Sequence, residues 1–179
     1  MKTFKTILAA VLFLTVSNSL MAQAASDDIT ATATVITVVT VTGAGNLTFG
    51  SVTPGEAETV ETDDERAGLF KLFTNTDIQI KFTLPTTLTA LDGQAAVAGA
   101  SLPISFGDNM ALLKTADGLN EHAFNPANAI DINYGTVSTR PFLMADEDFE
   151  LYIGGTVTPS AGQLAGAYEG TITVSAEYN

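Results

Sequence analysis

Residues 29–42 read ITATATVITVVTVT, and this stretch decides the fold. It is dominated by β-branched side chains, with Ile29, Ala31, Ala33, Val35, Val39 and Val41 on one face of an extended chain. Branching at Cβ restricts χ1 and suits a pleated surface, and a period of two marks a half-buried strand. A second alternating stretch, residues 171–179 (TITVSAEYN), sets Ile172, Val174, Ala176 and Tyr178 against threonine, serine and glutamate. Such strands pair either within their own subunit or with another, and that choice separates a lone domain from an assembling one.

Working outward, Gly43-Ala44-Gly45 is expected to turn into a short strand at residues 46–50 (NLTFG), followed by a turn at Thr53-Pro54-Gly55. Residues 56–66 carry Glu56, Glu58, Glu61, Asp63, Asp64 and Glu65, the pattern of a solvated connection with at most an edge strand. Residues 69–74 and 78–84 (IQIKFTL) predict a hairpin turning through Asn75-Thr76-Asp77. Residues 102–106, 110–114 and 130–134 predict strands, whereas 117–128 lack a period and predict a loop or short helix. Residues 149–159 (FELYIGGTVTP) predict a strand bulged at Gly154-Gly155. About nine short strands without a helix predict an all-β fold, a mostly antiparallel β-sandwich or a partly open barrel.

Lys2 and Lys5, the apolar run at residues 7–16 (ILAAVLFLTV) and the small-x-small triplet Ala22-Gln23-Ala24 read as a secretory signal, with an uncleaved membrane anchor as the alternative. The run is shorter than the roughly 20 residues of a membrane-spanning helix. Export through the Sec pathway and cleavage after Ala24 leave residues 25–179 as a single domain in the periplasm, at the cell surface or outside the cell. Loss of the two signal lysines takes the formal charge from −13 to −15. That field excludes nucleic acid, whose binding depends on neutralising phosphates, and repels anionic membranes. The strands are mostly shorter than the roughly ten residues of an outer-membrane barrel strand, so membrane insertion is not expected. There is no cysteine, which removes thiol chemistry and disulfides.

No catalytic set emerges. The single histidine, His122, has no recognisable nucleophile turn to serve, and one histidine without cysteine leaves no zinc set. Paired carboxylates would suit glycoside hydrolysis, but the chain has no tryptophan for a sugar cleft. Asp146, Glu147, Asp148 and Glu150 form a carboxylate cluster entering a strong strand, and calcium is the one cofactor they leave open. Asp63-Asp64-Glu65 is a second such run, although acidic runs are usually solvated faces.

The final segment resembles the terminal strand of chaperone–usher pilins and of spore-coat protein U. Tyr178 is penultimate and Gly166 is fourteenth from the last residue, with Tyr168, Gly170, Ile172 and Val174 continuing the motif. The wider pattern resembles a secreted bacterial family known as a domain of unknown function. It is carried by Leu47-Thr48-Phe49-Gly50, Thr53-Pro54-Gly55, Leu84-Pro85, Gly154-Gly155-Thr156 and the Tyr-x-Gly-Thr ending at 168–171. The pilin resemblance implies an immunoglobulin-like sandwich that assembles by donor-strand exchange, with Ile29, Ala31, Ala33, Val35, Val39 and Val41 as the donor or closing strand. Its partners would be itself or related subunits, helped by a periplasmic chaperone. The expectation is therefore a non-enzymatic structural or adhesive cell-surface subunit of a fimbrium. The alternative is a monomeric, self-closed secreted binding domain stabilised by calcium.

Overall fold

The computed structural model describes residues 32–34, 37–91, 100–115, 121–134, 143–144 and 147–178. The chain divides into two compact units, Met1–Val35 and Ile36–Asn179. Residues 32–34, in the first, have no regular secondary structure, and every strand belongs to the second.

Three sheets carry the second unit. The first runs in the order β1 (Val39–Gly45), β3 (Gly68–Thr74), β11 (Glu147–Ile153), β7 (Ala111–Thr115), β8 (Glu121–Phe124). The second runs β10 (Leu143–Met144), β9 (Ile130–Tyr134), β4 (Ile78–Thr83), β14 (Thr173–Tyr178). The third runs β13 (Tyr168–Glu169), β5 (Thr87–Ala90), β6 (Ser101–Ser105), β12 (Gly155–Val157), β2 (Glu58–Val60). All pairings are antiparallel except that of β9 with β10, and no described residue is helical. The protein is all-β and sandwich-like.

Alternation in the sequence places the core. Leu72, Leu113, Phe149 and Leu151 of the first sheet meet Ile78, Ile80 and Ile132 of the second, and none is more than 1% exposed. Burying each such side chain contributes about 1.5–3 kcal/mol. A smaller cluster, Leu102, Ile104 and Val157, lies under the third sheet, with Phe49, Val52 and Tyr168 packed against it.

The opening stretch enters this scheme by its second half. Val39 and Val41 pack against the main core while Thr40 and Thr42 are exposed, as a period of two requires. The strand starts at Val39, ten residues later than expected; residues 32–34 and 37–38 are not strand, and residues 29–31 and 35–36 lie outside those described. The expected turn at Gly43-Ala44-Gly45 instead prolongs β1, with a register shift between Gly43 and Gly45 that leaves Ala44 unpaired. Glycines flanking the bulge allow that bend.

Other expectations are corrected. Residues 69–74 and 78–84 do not form a hairpin: β3 and β4 lie in opposite sheets. Both are apolar on one face, so their connection arches across the core instead of pairing them. The Thr74 hydroxyl, fully buried, caps the arch by donating to the Thr76 carbonyl and accepting from its N–H. The Asn75 side chain accepts from the Val38 N–H at 2.7 Å. Residues 117–128 contain a strand, β8, which closes the edge of the first sheet; its half-buried side chains, His122 and Phe124, stack with ring centroids 6.0 Å apart. The glycine pair at 154–155 is a change of sheet, since β11 belongs to the first and β12 to the third. A Cβ on Gly154 would collide with the Val60 carbonyl oxygen, so only glycine lets the strand cross there.

Candidate functional site: a groove at the sandwich edge

A groove of about 910 Å³ opens between the sheets. Its floor holds Phe70, Leu88, Leu102, Ile104 and Ile153. One wall is the Gly43-Ala44-Gly45 end of β1 continued by residues 46–50, and the other is residues 166–170 with Ile172. Glu169 is the sole charged residue among those lining it. Small residues on both walls let another backbone come close. Both β1 and β13, which lie on these walls, are edge strands.

The first wall is built from residues 46–50, expected as a strand but unpaired in any described sheet. Among the described residues, Arg66 ties it twice, once through its main chain and once through its side chain. The Thr48 N–H donates to the Arg66 carbonyl at 3.0 Å, and Arg66 Nη1 reaches the Phe49 carbonyl at 3.5 Å. The guanidinium is itself fixed by two carboxylates: Nη1 donates to Glu58 and Nη2 to Asp64, each at 2.8 Å. Arg66 side-chain hydrogen bonds, and then its N–H, hold the Asp64 carboxyl below the usual carboxylate range. Gly68 completes the seat, because a Cβ there would meet Ile153 Cγ2 at 2.8 Å and the Leu47 nitrogen at 3.3 Å.

The second wall carries the terminal motif. The Tyr168 hydroxyl donates to the Leu164 carbonyl at 2.7 Å and accepts from Gln163 Nε2 at 2.8 Å, fixing the turn ahead of β13. Gly166 sits at φ +154°, where side-chain-bearing residues are rare. A Cβ on Gly170 would come within 2.7 Å of Leu88 Cδ2, so this glycine lets the wall close onto β5. Ile172 and Val174 turn inward, half-buried, and Val174 packs on the main core. Tyr178, expected on that same face, is 55% exposed. The registers Tyr168↔Ala90 and Thr173↔Thr83 show that β13 and β14 run along β5 and β4 as one interrupted strand, with two extra residues on the partner side around Pro85.

Three members of the carboxylate cluster, Glu147, Asp148 and Glu150, belong to β11. Asp148 and Glu150 share the outer face of β11, and Asp146 lies outside the described residues. Glu150 stands in register between Lys71 and Lys114, and Lys114 is in register with Glu121. Lys114 and Glu121 form an ion pair at 3.1 Å. Glu150 also accepts from the Tyr152 hydroxyl at 2.7 Å, which pushes that phenol up to about 12. Among the described residues, no group of three histidines or carboxylates is placed to hold a metal ion.

Of the predicted residues, Gly166, Tyr168, Gly170 and Ile172 come together on one groove wall, while Val39 and Val41 are in the core beside it. Sequence reasoning missed Arg66 and Gly68. An arginine ending an acidic run, two residues before a glycine that opens an apolar strand, was the available signal. No curated protein matches this sequence. The chain belongs to the family described as a domain of unknown function (DUF4402), which matches residues 28–178.

Proposed function

We propose that this protein is an exported, non-enzymatic structural or adhesive surface subunit whose groove is completed by a strand from a second copy. The observation that carries the reading is a groove with an apolar floor and one charged lining residue, running between two sheet-edge strands, β1 and β13. An extended segment laid there would gain main-chain hydrogen bonds and bury alternate side chains, and would cover edges that otherwise invite uncontrolled pairing. Immunoglobulin-like sandwiches place a tyrosine at the start of strand F, with its hydroxyl bonded a few residues upstream. Tyr168 has that hydrogen bond at the start of β13, ahead of the final described strand. The groove then lies where the next strand of such a sandwich would run.

The occupant is residues 29–38, uncharged and alternating. Val39 and Val41 are already used in their own core, which divides the expected donor or closing strand into a closing half and a donor half. Reach favours a second copy as the source. A segment folding back along β1 through a two-residue turn at 36–37 sets Thr30 opposite Gly43 and Asp28 opposite Gly45, advancing about 3.3 Å per residue. It would present Asp27 and Asp28 to an uncharged wall and leave its apolar residues short of the groove.

Light scattering of residues 25–179, before and after heating in denaturant, tests the reading. Multimer ladders that resist heat and denaturant are the expected result. A monomer that unfolds and refolds reversibly would favour the self-closed domain, for which the closure by β1 is the supporting observation.

A further inference from the structure

We propose that Arg66 is the residue that positions the groove wall and so sets whether a strand can enter. The inference rests on the strand-addition reading and adds to it a residue outside the groove. Residues 46–50 have the composition of a strand, yet among the described residues they join no sheet; the main-chain carbonyl of Arg66 accepts from the Thr48 N–H, and the guanidinium reaches the Phe49 carbonyl at 3.5 Å. The wall's inner side faces an apolar floor that includes Phe70, Leu88 and Ile153. Apolar surfaces left facing across a water-filled gap gain by closing it, at about 25 cal/mol per Å² removed from water. A wall released from Arg66 would therefore settle onto the floor and fill the space that an incoming strand needs.

The guanidinium suits this task because it holds three partners at once. Its fork is fixed by Asp64 through Nε and Nη2, while Nη1 joins Glu58 to the Phe49 carbonyl. A lysine ammonium at the same place lacks the planar, divergent donors to span them. Gly68, two residues on, keeps the seat flat for Leu47. The carboxylates belong to the turn before β3 and to β2, so the clamp ties the wall to the third sheet and to the start of the first.

The test is titration of a fluorescent peptide of residues 26–38 against the monomeric chain, residues 25–179, followed by anisotropy. Arg66→Met should weaken binding at least tenfold, and Arg66→Lys should not restore it. Ile132→Val, a core change in β9 away from the groove, should bind within twofold of the parent and so separate wall position from general stability. Amide exchange supplies a readout independent of the peptide: Arg66→Met keeps the main-chain acceptor of the Thr48 amide, so loss of Thr48 protection, with β11 amides keeping theirs, would report release of the wall by the guanidinium. If the parent binds the peptide and Arg66→Met binds it equally well, the role of Arg66 is overturned and the groove reading stands. If the parent binds no peptide, the groove reading falls and Arg66 has no strand to admit.

Discussion

Two double substitutions separate the closing half of the N-terminal stretch from its donor half. Val39 and Val41 are half-buried against Leu72, Ile80 and their neighbours. Val39→Ala with Val41→Ala removes four methyl groups in all. At about 0.8 kcal/mol per fully buried methylene and half that here, plus some loss of packing, the cost is about 2 kcal/mol. For a domain of this size it lowers Tm by roughly 4–10 °C. If residues 29–38 act in a second copy as proposed, Ile29→Ala with Val35→Ala should leave the stability of the isolated monomer within about 0.5 kcal/mol. In the assembled form the same pair would be buried in a neighbour's groove. Losing about five methylenes there costs roughly 3–4 kcal/mol per junction, a hundredfold or more in dissociation. Denaturant unfolding of the monomer and time-resolved light scattering of diluted multimers read the two effects. The reasoning is refuted if the upstream pair destabilises the monomer as much as the downstream pair, because residues 29–38 would then close the sandwich in cis.

Other consequences follow from single contacts. Gly154→Ala drives a methyl group into the Val60 carbonyl and should cost about 3 kcal/mol or prevent folding, measurable by urea unfolding. Tyr168→Phe removes two hydrogen bonds at the second wall, about 1–2 kcal/mol in stability, and should weaken binding of the 26–38 peptide more than its loss of stability explains. Asp64 is depressed by Arg66, so its contribution is present above the ordinary carboxylate range and is lost as pH falls through it. The stability difference between the parent and Asp64→Asn should therefore shrink on acidification below about pH 4. Tyr152 has the opposite sign: its phenol is raised to about 12, so its contribution is full below about 10 and fades through 12. Absorbance titration of Tyr152→Phe should lack a tyrosine step that the parent shows near 12.

The sequence carried the sheet content well because burial on one face imposes a period of two. Ile78, Ile80 and Phe82, or Ile172, Val174 and Ala176, can hardly be anything else. Partners were not legible. Residues 69–74 and 78–84 have the pattern of a hairpin, but alternation says only which face is buried, and both an arch and a hairpin satisfy it. β8 was missed because its short run EHAF has a single strong apolar residue, Phe124, and is recruited by Lys114 and Leu113 across the ladder. The opposite failure occurs at residues 46–50, where LTF predicts a strand and Gly68 with Arg66 hold the chain beside the sheet without pairing. Local propensity was overridden by a seat formed two strands away in sequence. In the terminal segment Tyr168 is fixed by a short-range turn, whereas Gly170 answers to Leu88 of β5, far away in sequence. Register places Glu150, one of the candidate calcium ligands, between two lysines, a cross-strand arrangement that the sequence does not display.

Charge placement leads to a last prediction about assembly. Of the cations remaining after residue 24, Arg66, Lys81 and Lys114 form ion pairs within the domain, and Lys71 is in register with Glu150. The formal charge of −15 for residues 25–179 therefore projects outward from each copy, while the groove holds a single carboxylate, Glu169. Two copies approaching one another repel, whereas the junction itself is apolar. Salt should accordingly speed assembly by screening the approach, with the Debye length falling from about 30 Å at 0.01 M to about 10 Å at 0.1 M. Dissociation of finished multimers should change little over the same range, because apolar burial and main-chain hydrogen bonds are not screened. A neutral peptide of residues 29–38 carries no such repulsion, and its association rate should be nearly independent of salt. Assembly that slows as salt rises would mean that opposite charges draw the copies together, and the uncharged groove would not be the contact.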